Sequence, residues 1–372
     1  MNDTIWISTG EPSGDMHGAL LARALFAAAP GARLAGMAGP DMRAVGVDGV
    51  FDIAELSVMG FTEVLGKLPS ILRLLGRIKN TLRRMRPRAV VCVDAPSFNF
   101  RVARAAHELG IPVYYYISPK IWAWNTRRVH FIKKYVRRMI CIFPFEVDFY
   151  RRYGVEVDFV GNPLLDVLDL PRLDAIAPQP GLVGFLPGSR RKEVTSLLPE
   201  MGRAARILRD RLPGLRYEII RAPGTPEARL RELWPQDVPV AIAGPDDRYA
   251  RMRTWQACVA ASGTVTLETA LIGLPTVVTY RMSGLTAALA RRVIKVRWVS
   301  LPNLVMRREV FPELLQERAT ASELAAAAGA WLADPAALAA MRADLAVLRT
   351  RLGEPGAAGR AARVILDDPA LA

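Results

Sequence analysis

The chain has 372 residues, half of them hydrophobic, which suffices for two buried cores and excludes a disordered polymer. A formal charge of +14 narrows the partners to a polyanionic ligand, a nucleic acid or an anionic membrane surface without choosing among them. Cys92, Cys141 and Cys258 lie far apart in apolar runs; they exclude a disulfide framework or a C-x-x-C metal site and read as buried, reduced thiols in a cytosolic protein.

The opening apolar run, "TIWIS", is too short for the core of a signal peptide. No uninterrupted apolar stretch reaches ~18 residues, so no membrane span is expected. In chain order, "TIWIST", "RLAGMAG", "AVVCVD", "PVYYYIS", "MICIF" and "VDFV" read as strands separated by helical patterns. After them "PLLDVLDLPRLDAIAPQP", residues 163–180, carries four prolines and reads as a linker. The pattern then resumes with "LVGFLP", "RYEII", "VPVAIA", "ACVAAS" and "TVVTY". The Ala-rich stretch after Ser322 contains Glu323 and Asp334 and reads as a soluble helix.

Short apolar strands between helices predict parallel sheets covered on both faces. The expected fold is α/β, with two Rossmann-like domains facing across a cleft. The first spans residues 1–170, with the C-terminal helix from about 350 to 372 as a candidate to complete it; the second spans 171–350.

In such sheets ligands sit beyond the carboxyl ends of the strands, and the polar letters gather there. In "STGEPSGDMHG" the glycines fall at 10, 14 and 18, which is not the dinucleotide spacing, and Glu11 and Asp15 would repel phosphate. Glu11, Ser13 and Asp15 suit sugar hydroxyls; helix capping by Ser13 or Asp15 explains the same letters. Asp94 ends the third strand and Ser118 the fourth.

The phosphate is better placed at "LPGSRRKE", where Gly188 permits close backbone approach, Ser189 can cap the next helix and Arg190 offers a planar fork. An ordinary Ser-capped helix with a solvated basic first turn is the alternative. "ASGTVTLETALIGLPTVVTY" repeats the strand–turn–helix logic at Gly263 and Thr264, and Glu268 stands on an otherwise apolar helix, suited to a ribose diol or to a helix start. Arg281 is a phosphate candidate or a solvated arginine. Together these motifs indicate a nucleoside diphosphate held by the second half.

Metal ligands are not evident. No D-x-D pair ends a strand, Glu146-Val147-Asp148 being the nearest approximation, and His17, His107 and His130 form no H-E-x-x-H. "GFTEVLGKL" fails as a Walker motif, with five residues between its glycines and Leu68 after the lysine. No metal or other cofactor is expected, the nucleotide being read as part of a substrate.

Residues 68–88 place Ile71, Leu74, Leu75, Ile78, Leu82 and Met85 on one helical face amid Arg73, Arg77, Arg83, Arg84 and Arg86. Such a helix lies on an anionic bilayer or packs on a sheet with a solvated basic face. "RRVHFIKKYVRR" and "ARRVIKVRW" are further basic–aromatic segments. No helix-turn-helix, RRM or zinc module is recognisable, so nucleic acid is not the expected partner.

"GEPSGDMHG", "ELSVMGFTEVLGKLP", "DAPSFNFRVA", "YYISPKIWAW", "PFEVDFY", "LPGSRRKEV", "ASGTVTLETALIGLPTVVTYR" and "SLPNLVMRREVFPELLQE" occur in the order found in lipid-A-disaccharide synthases, and the chain resembles that family from about residue 5 to about 318. The resemblance implies a GT-B type glycosyltransferase that moves 2,3-diacylglucosamine from its UDP donor to the 6-hydroxyl of 2,3-diacylglucosamine 1-phosphate. The products are a β-1,6-linked disaccharide 1-phosphate and UDP. It further implies a peripheral protein on the cytoplasmic face of a Gram-negative inner membrane, and a homodimer with exchanged C-terminal segments. Carried onto this chain, it makes Asp94 the base, Arg190 with Gly188 and Ser189 the diphosphate site, Glu268 the ribose ligand and Asn303 a donor-side residue. Two positions depart from the family pattern: Ser97 stands for an aspartate and Asn162 for a histidine. Another UDP-sugar transferase or epimerase of the same fold is the alternative.

Overall fold

The computed structural model of the protein describes residues 3–57, 64–284, 286, 287, 292, 294 and 296–371, with side chains undescribed at 57 and 64–68. Much of "SVMGFTEVLGKL" and of "ARRVIKV" therefore lies outside the described residues. The chain forms two compact units: Met1–Asp166 with Gly353–Ala372, and Val167–Leu352.

Among the described residues the first unit holds seven strands: β1 (Thr4–Ser8), β2 (Arg33–Ala38), β3 (Asp48–Asp52), β4 (Ala89–Val93), β5 (Val113–Tyr116), β6 (Arg138–Cys141) and β7 (Val157–Phe159). They run parallel in the order β3-β2-β1-β4-β5-β6-β7. The second unit holds β8 (Leu182–Leu186), β9 (Arg216–Ile220), β10 (Ala241–Ala243), β11 (Ala257–Ala261), β12 (Thr276–Tyr280) and β13 (Glu313–Leu315), parallel in the order β10-β9-β8-β11-β12-β13. Central strands β1, β4 and β11 are buried at every residue, as a sheet covered by helices on both faces requires.

In each unit the strand order reverses once, between β1 and β4 and between β8 and β11. At such a switch point the flanking loops leave in opposite directions and open a crevice beyond the carboxyl ends. Gly10 marks how tightly the loops after β1 and β4 pack, because a Cβ there would lie 2.8 Å from that of Ala95.

Two strands escaped the sequence pattern, and both are edges. β3 is "DGVFD", bounded by acids and only half-buried, and β13 is three residues long. An edge strand needs one covered flank and carries a weak apolar signal. The expected linker holds two short helices, Leu164–Val167 and Leu170–Asp174, the second capped by the Asp169 carboxylate on Arg172 N–H at 3.2 Å.

The basic helix, Val64–Met85, buries Leu74, Ile78 and Leu82 in the first unit's core. Packing on the sheet thus uses the stripe that a bilayer would otherwise take, and leaves Leu72 outward, 54 % exposed, beside exposed Arg73 and Arg77. The Ala-rich stretch forms helices Ala321–Ala333 and Pro335–Arg351, broken where Asp334 accepts from the Ala336 and Ala337 amides. Among the described residues no single helix is long and apolar enough to cross a membrane.

The C-terminal helix, Ala357–Leu366, packs on helix Pro12–Ala28 of its own chain. Asp166 receives the Gly356 amide, Arg360 donates to the Val160 carbonyl, and Asp368 takes Arg137 in a two-toothed ion pair. Those hydrogen bonds hold the Asp368 carboxyl down at about 2.

Candidate functional site

At the first switch point Asp94 directly follows β4, with φ of +46°, and Ala95 follows with φ of +44°. Two consecutive non-glycine residues in the left-handed region form a sharp elbow between strand and helix Pro96–Glu108. The residue at the helix N-cap is Ala95, so the Asp94 carboxylate is not spent on capping. Burial raises the Asp94 pKa, the Glu11 charge raises it further, and Lys120 and the Ala95 amide oppose the shift. A half-buried carboxylate with a raised pKa at the carboxyl edge of a sheet is equipped to accept a proton.

Glu11 and Ser13 are exposed where helix Pro12–Ala28 begins, Glu11 at its N-cap. Asp15 is placed otherwise. Its carboxylate is 1 % exposed and accepts the amides of Gly39, Asp41 and Met42 at 2.7, 2.8 and 3.4 Å, anchoring the start of helix Pro40–Ala44. With its oxygens committed to backbone it is not available to a sugar, and the capping role falls on a neighbouring helix rather than its own.

Ser118 is likewise turned inward. Its hydroxyl lies 2.9 Å from that of Tyr150 and donates to the Pro119 carbonyl. Beside it Glu146 is fully buried, accepting from the Trp122 indole at 3.1 Å and the Phe143 amide at 3.2 Å. Burial pushes Glu146 up to about 8. The cluster fastens the "SPKIWAW" segment, which carries the exposed Lys120. Of the two departures from the family pattern, Ser97 is exposed and Asn162 is buried, its side chain closing a local turn by accepting the Leu164 amide at 3.0 Å.

At the second switch point the turns after β8 and β11 meet. Gly188 has φ of +99°, and a Cβ there would lie 2.7 Å from Glu193 Oε2 and 3.4 Å from the Ala261 Cβ. Ser189 is exposed but does not cap; the N-cap of helix Arg191–Arg211 is Arg190. The group that organises the turn is Glu193, whose carboxylate accepts the Arg190 amide at 3.3 Å, the Arg190 guanidinium at 2.8 Å and the Tyr280 hydroxyl at 3.3 Å. Despite that ion pair the Arg190 side chain stays 78 % exposed.

Gly263 and Thr264 are exposed in the facing turn, with nothing within 4 Å of a Cβ on Gly263. Glu268 is half-buried and lies 3.3 Å from the Arg248 guanidinium, which also meets the Tyr249 hydroxyl at 2.6 Å. Burial raises the Glu268 pKa against the pull of Arg248. Arg248 and Tyr249 carry no sequence motif and were not foreseen; nor was Tyr280.

Arg281 and Asn303 do not join this group. Arg281 binds Glu200 at 3.3 Å and the Ala319 carbonyl at 2.7 Å, fastening the end of β12 to the helix beside it. Asn303 is fully buried, accepting the Val310 and Phe311 amides and donating to the Phe311 carbonyl and Glu313. "SLPNL" thus folds a loop, because a buried amide with all its hydrogen bonds satisfied has none to offer a ligand. Among the described residues no three acidic, histidine or cysteine side chains could share a metal ion.

Two doubly wound sheets, each with glycine turns and charged groups at its switch point, define the GT-B glycosyltransferase class and the epimerases that share its fold. The chain is similar to the UDP-GlcNAc 2-epimerase of Neisseria meningitidis bound to UDP-GlcNAc (TM-score 0.62, 13 % identity, 98 % of both chains). It is also similar to a Siraitia grosvenorii UGT transferase in complex with UDP (TM-score 0.65, 12 % identity, 98 % and 99 % of the chains). At that identity the likeness shows the fold alone.

Sequence relatives narrow the class. A family model for lipid-A-disaccharide synthetase matches residues 5–361. The lipid-A-disaccharide synthases of Geobacter metallireducens and Syntrophus aciditrophicus are 39 % and 40 % identical, over 98 % and 97 % of this chain and 97 % of each relative. That of Myxococcus xanthus is 40 % identical over 98 % of this chain and 97 % of its own. The chain belongs to the lipid-A-disaccharide synthase family and is a glycosyltransferase.

Proposed function

We propose that the protein joins two acylated glucosamines, with the acceptor at the first unit's switch point and the UDP-sugar at the second's. The reaction is that of lipid-A-disaccharide synthase: 2,3-diacylglucosamine leaves UDP for the 6-hydroxyl of 2,3-diacylglucosamine 1-phosphate. Inversion at the anomeric carbon requires a base for the attacking hydroxyl and stabilisation of the departing phosphate. Asp94 is the base. Gly188 and Ser189 present backbone to the diphosphate, Arg190 leaves Glu193 to meet the charge that develops on UDP, and Gly263 with Thr264 forms the opposite wall. Glu268 takes the ribose diol, which displaces Arg248 from it. Glu11 and Ser13 remain for acceptor hydroxyls.

The observation that carries this reading is the separation of charge: carboxylates without a phosphate turn at one switch point, and a glycine turn with an exposed arginine at the other. UDP needs no protonation to leave, and no metal is assigned a role. The exposed Leu72 among arginines supports peripheral attachment to the anionic inner membrane from the cytoplasm, where the substrates' acyl chains reside. A homodimer is the proposed assembly.

The test is disaccharide formation from the two named substrates in detergent micelles with a chelator present, with Asp94→Asn alongside. The expected result is wild-type turnover that falls by about 10²–10⁴-fold in the variant while UDP affinity holds. A properly folded wild type that makes no disaccharide refutes the reaction, and an active Asp94→Asn refutes the base.

A further inference from the structure

The elbow at Asp94 and Ala95 uses a backbone conformation that residues with a Cβ avoid, yet neither position is glycine. Something must hold it. The Asp94 carbonyl accepts from the Asn99 amide at 2.9 Å and from the Tyr115 hydroxyl at 2.7 Å. Both donors are fully buried.

Asn99 does more than touch Asp94. Its NH₂ group also faces the carbonyls of Ser8 and Val93, each at 3.1 Å, and its Oδ1 accepts the Ser8 hydroxyl at 2.8 Å. One side chain therefore ties the ends of β1 and β4, the two strands that flank the switch point, to the elbow. The Ala95 methyl occupies the space beside Gly10 that a side chain there would need, closing the other flank.

Leaving the left-handed conformation means rotating the Asp94–Ala95 peptide plane. That rotation would carry the carbonyl away from two buried donors at once; Asn99 would keep its bonds to Ser8 and Val93, but the buried Tyr115 hydroxyl would lose its acceptor, a larger penalty than the loss of the bond alone. The opposite edge of the same peptide bears the Ala95 N–H, whose nearness to the Asp94 carboxylate favours its charged form. Clamping the carbonyl thus also fixes the donor that the carboxylate leans on.

We propose that Asn99 and Tyr115 are positioning residues for the glycosyl transfer, locking the Asp94–Ala95 peptide so that the Asp94 carboxylate is held in its working orientation. The inference rests on the reading of Asp94 as the base. Neither residue touches substrate; each acts through the Asp94 backbone. Glu11 from the loop after β1 and Lys120 from the segment after β5 are the charges that face Asp94, and neither changes in the variants that test this.

The main variant is Tyr115→Phe, which removes one hydroxyl and keeps the buried ring; Asn99→Ala is the harsher companion, more exposed to folding defects. Wild type, Tyr115→Phe, Asp94→Asn and the Asp94→Asn/Tyr115→Phe double variant are compared by kcat, KM, UDP affinity, Tm and the pH dependence of kcat. Tyr115→Phe is expected to lower kcat by about five- to twentyfold, with KM and UDP affinity within about twofold of wild type. Its acidic limb moves to higher pH, since a loosened Ala95 amide no longer holds the Asp94 pKa down. In the Asp94→Asn background the same change costs nothing further, as residues acting through one group are not additive.

Wild-type kcat and an unmoved acidic limb in Tyr115→Phe overturn the inference, as does a loss that multiplies in the double variant. Loss of turnover in Asp94→Asn beside an unaffected Tyr115→Phe discards the clamp and keeps the base. Full turnover by Asp94→Asn removes the base and the clamp with it.

Discussion

Adding one methyl at Gly188 tests the diphosphate turn directly. At φ of +99° a Cβ meets its own backbone, which for an L-residue costs ~1–2 kcal/mol. The methyl would also sit 2.7 Å from Glu193 Oε2 and 3.2 Å from its Cβ, so that side chain must move. Moving it surrenders hydrogen bonds from the Arg190 amide, the Arg190 guanidinium and the Tyr280 hydroxyl, of which a charged one alone contributes ~1.5–3 kcal/mol. Gly188→Ala should therefore destabilise the second unit by about 3–4 kcal/mol, or roughly 10 °C in its melting transition. UDP affinity should fall by at least about tenfold, equivalent to ~1.4 kcal/mol. Calorimetry supplies both numbers. The matched control is Gly263→Ala, where a Cβ meets no atom within 4 Å and stability should stay within ~0.5 kcal/mol. A Gly188→Ala protein that melts and binds UDP like wild type would refute the assignment of this turn.

Glu11→Gln removes a charge that raises the Asp94 pKa, so the acidic limb of the pH–rate profile should move to lower pH; a move upward would contradict the assigned geometry. Asp368 sits at about 2 in the folded protein against ~3.9 in an unfolded chain, so its contribution is complete above about pH 5 and is lost as pH falls from 4 toward 2. Since its partner Arg137 is 44 % exposed, the contribution is discounted to about 1–2 kcal/mol; chemical denaturation of Asp368→Asn across this range should show that loss at neutral pH and a flatter acid dependence. Leu72→Asp should weaken sedimentation with anionic vesicles without changing Tm, because the side chain is 54 % exposed.

What was legible in the sequence followed burial and chain direction. Strands covered on both faces, such as "AVVCV" and "ACVAA", announce themselves as apolar runs, and the polar residue after each lands at the carboxyl edge by construction. Asp94 and Gly188 stand at those edges, and Glu268 on the helix that follows β11. The misplaced residues share a different cause. Asp15 and Asn303 are polar letters in distinctive motifs, but each is consumed by backbone amides from a segment remote in sequence or beyond the next turn. A motif records that a side chain is required without recording whether its partner is a ligand or the chain itself. Arg248 and Tyr249 failed in the opposite direction: ordinary letters in an ordinary helix, brought to Glu268 only by the crossover from β10.

The two switch points differ in how they make an uncommon backbone bend, and the difference matches their proposed ligands. A turn that must lay amides against a diphosphate gains from glycine, since a Cβ would stand between backbone and oxygen, and Gly188 supplies it. An elbow that must aim a carboxylate needs a side chain at the bend itself, so Asp94 bears the strain and Asn99 and Tyr115 hold it. The acceptor carries a phosphate of its own, which the pair Glu11 and Asp94 would repel. Its reacting 6-hydroxyl and its 1-phosphate lie at opposite ends of the pyranose, so the hydroxyl can reach Asp94 while the phosphate stays clear. In the proposed site the same repulsion would disfavour the reversed pose, so that Asp94, which activates the hydroxyl, would together with Glu11 also select which end of the acceptor enters.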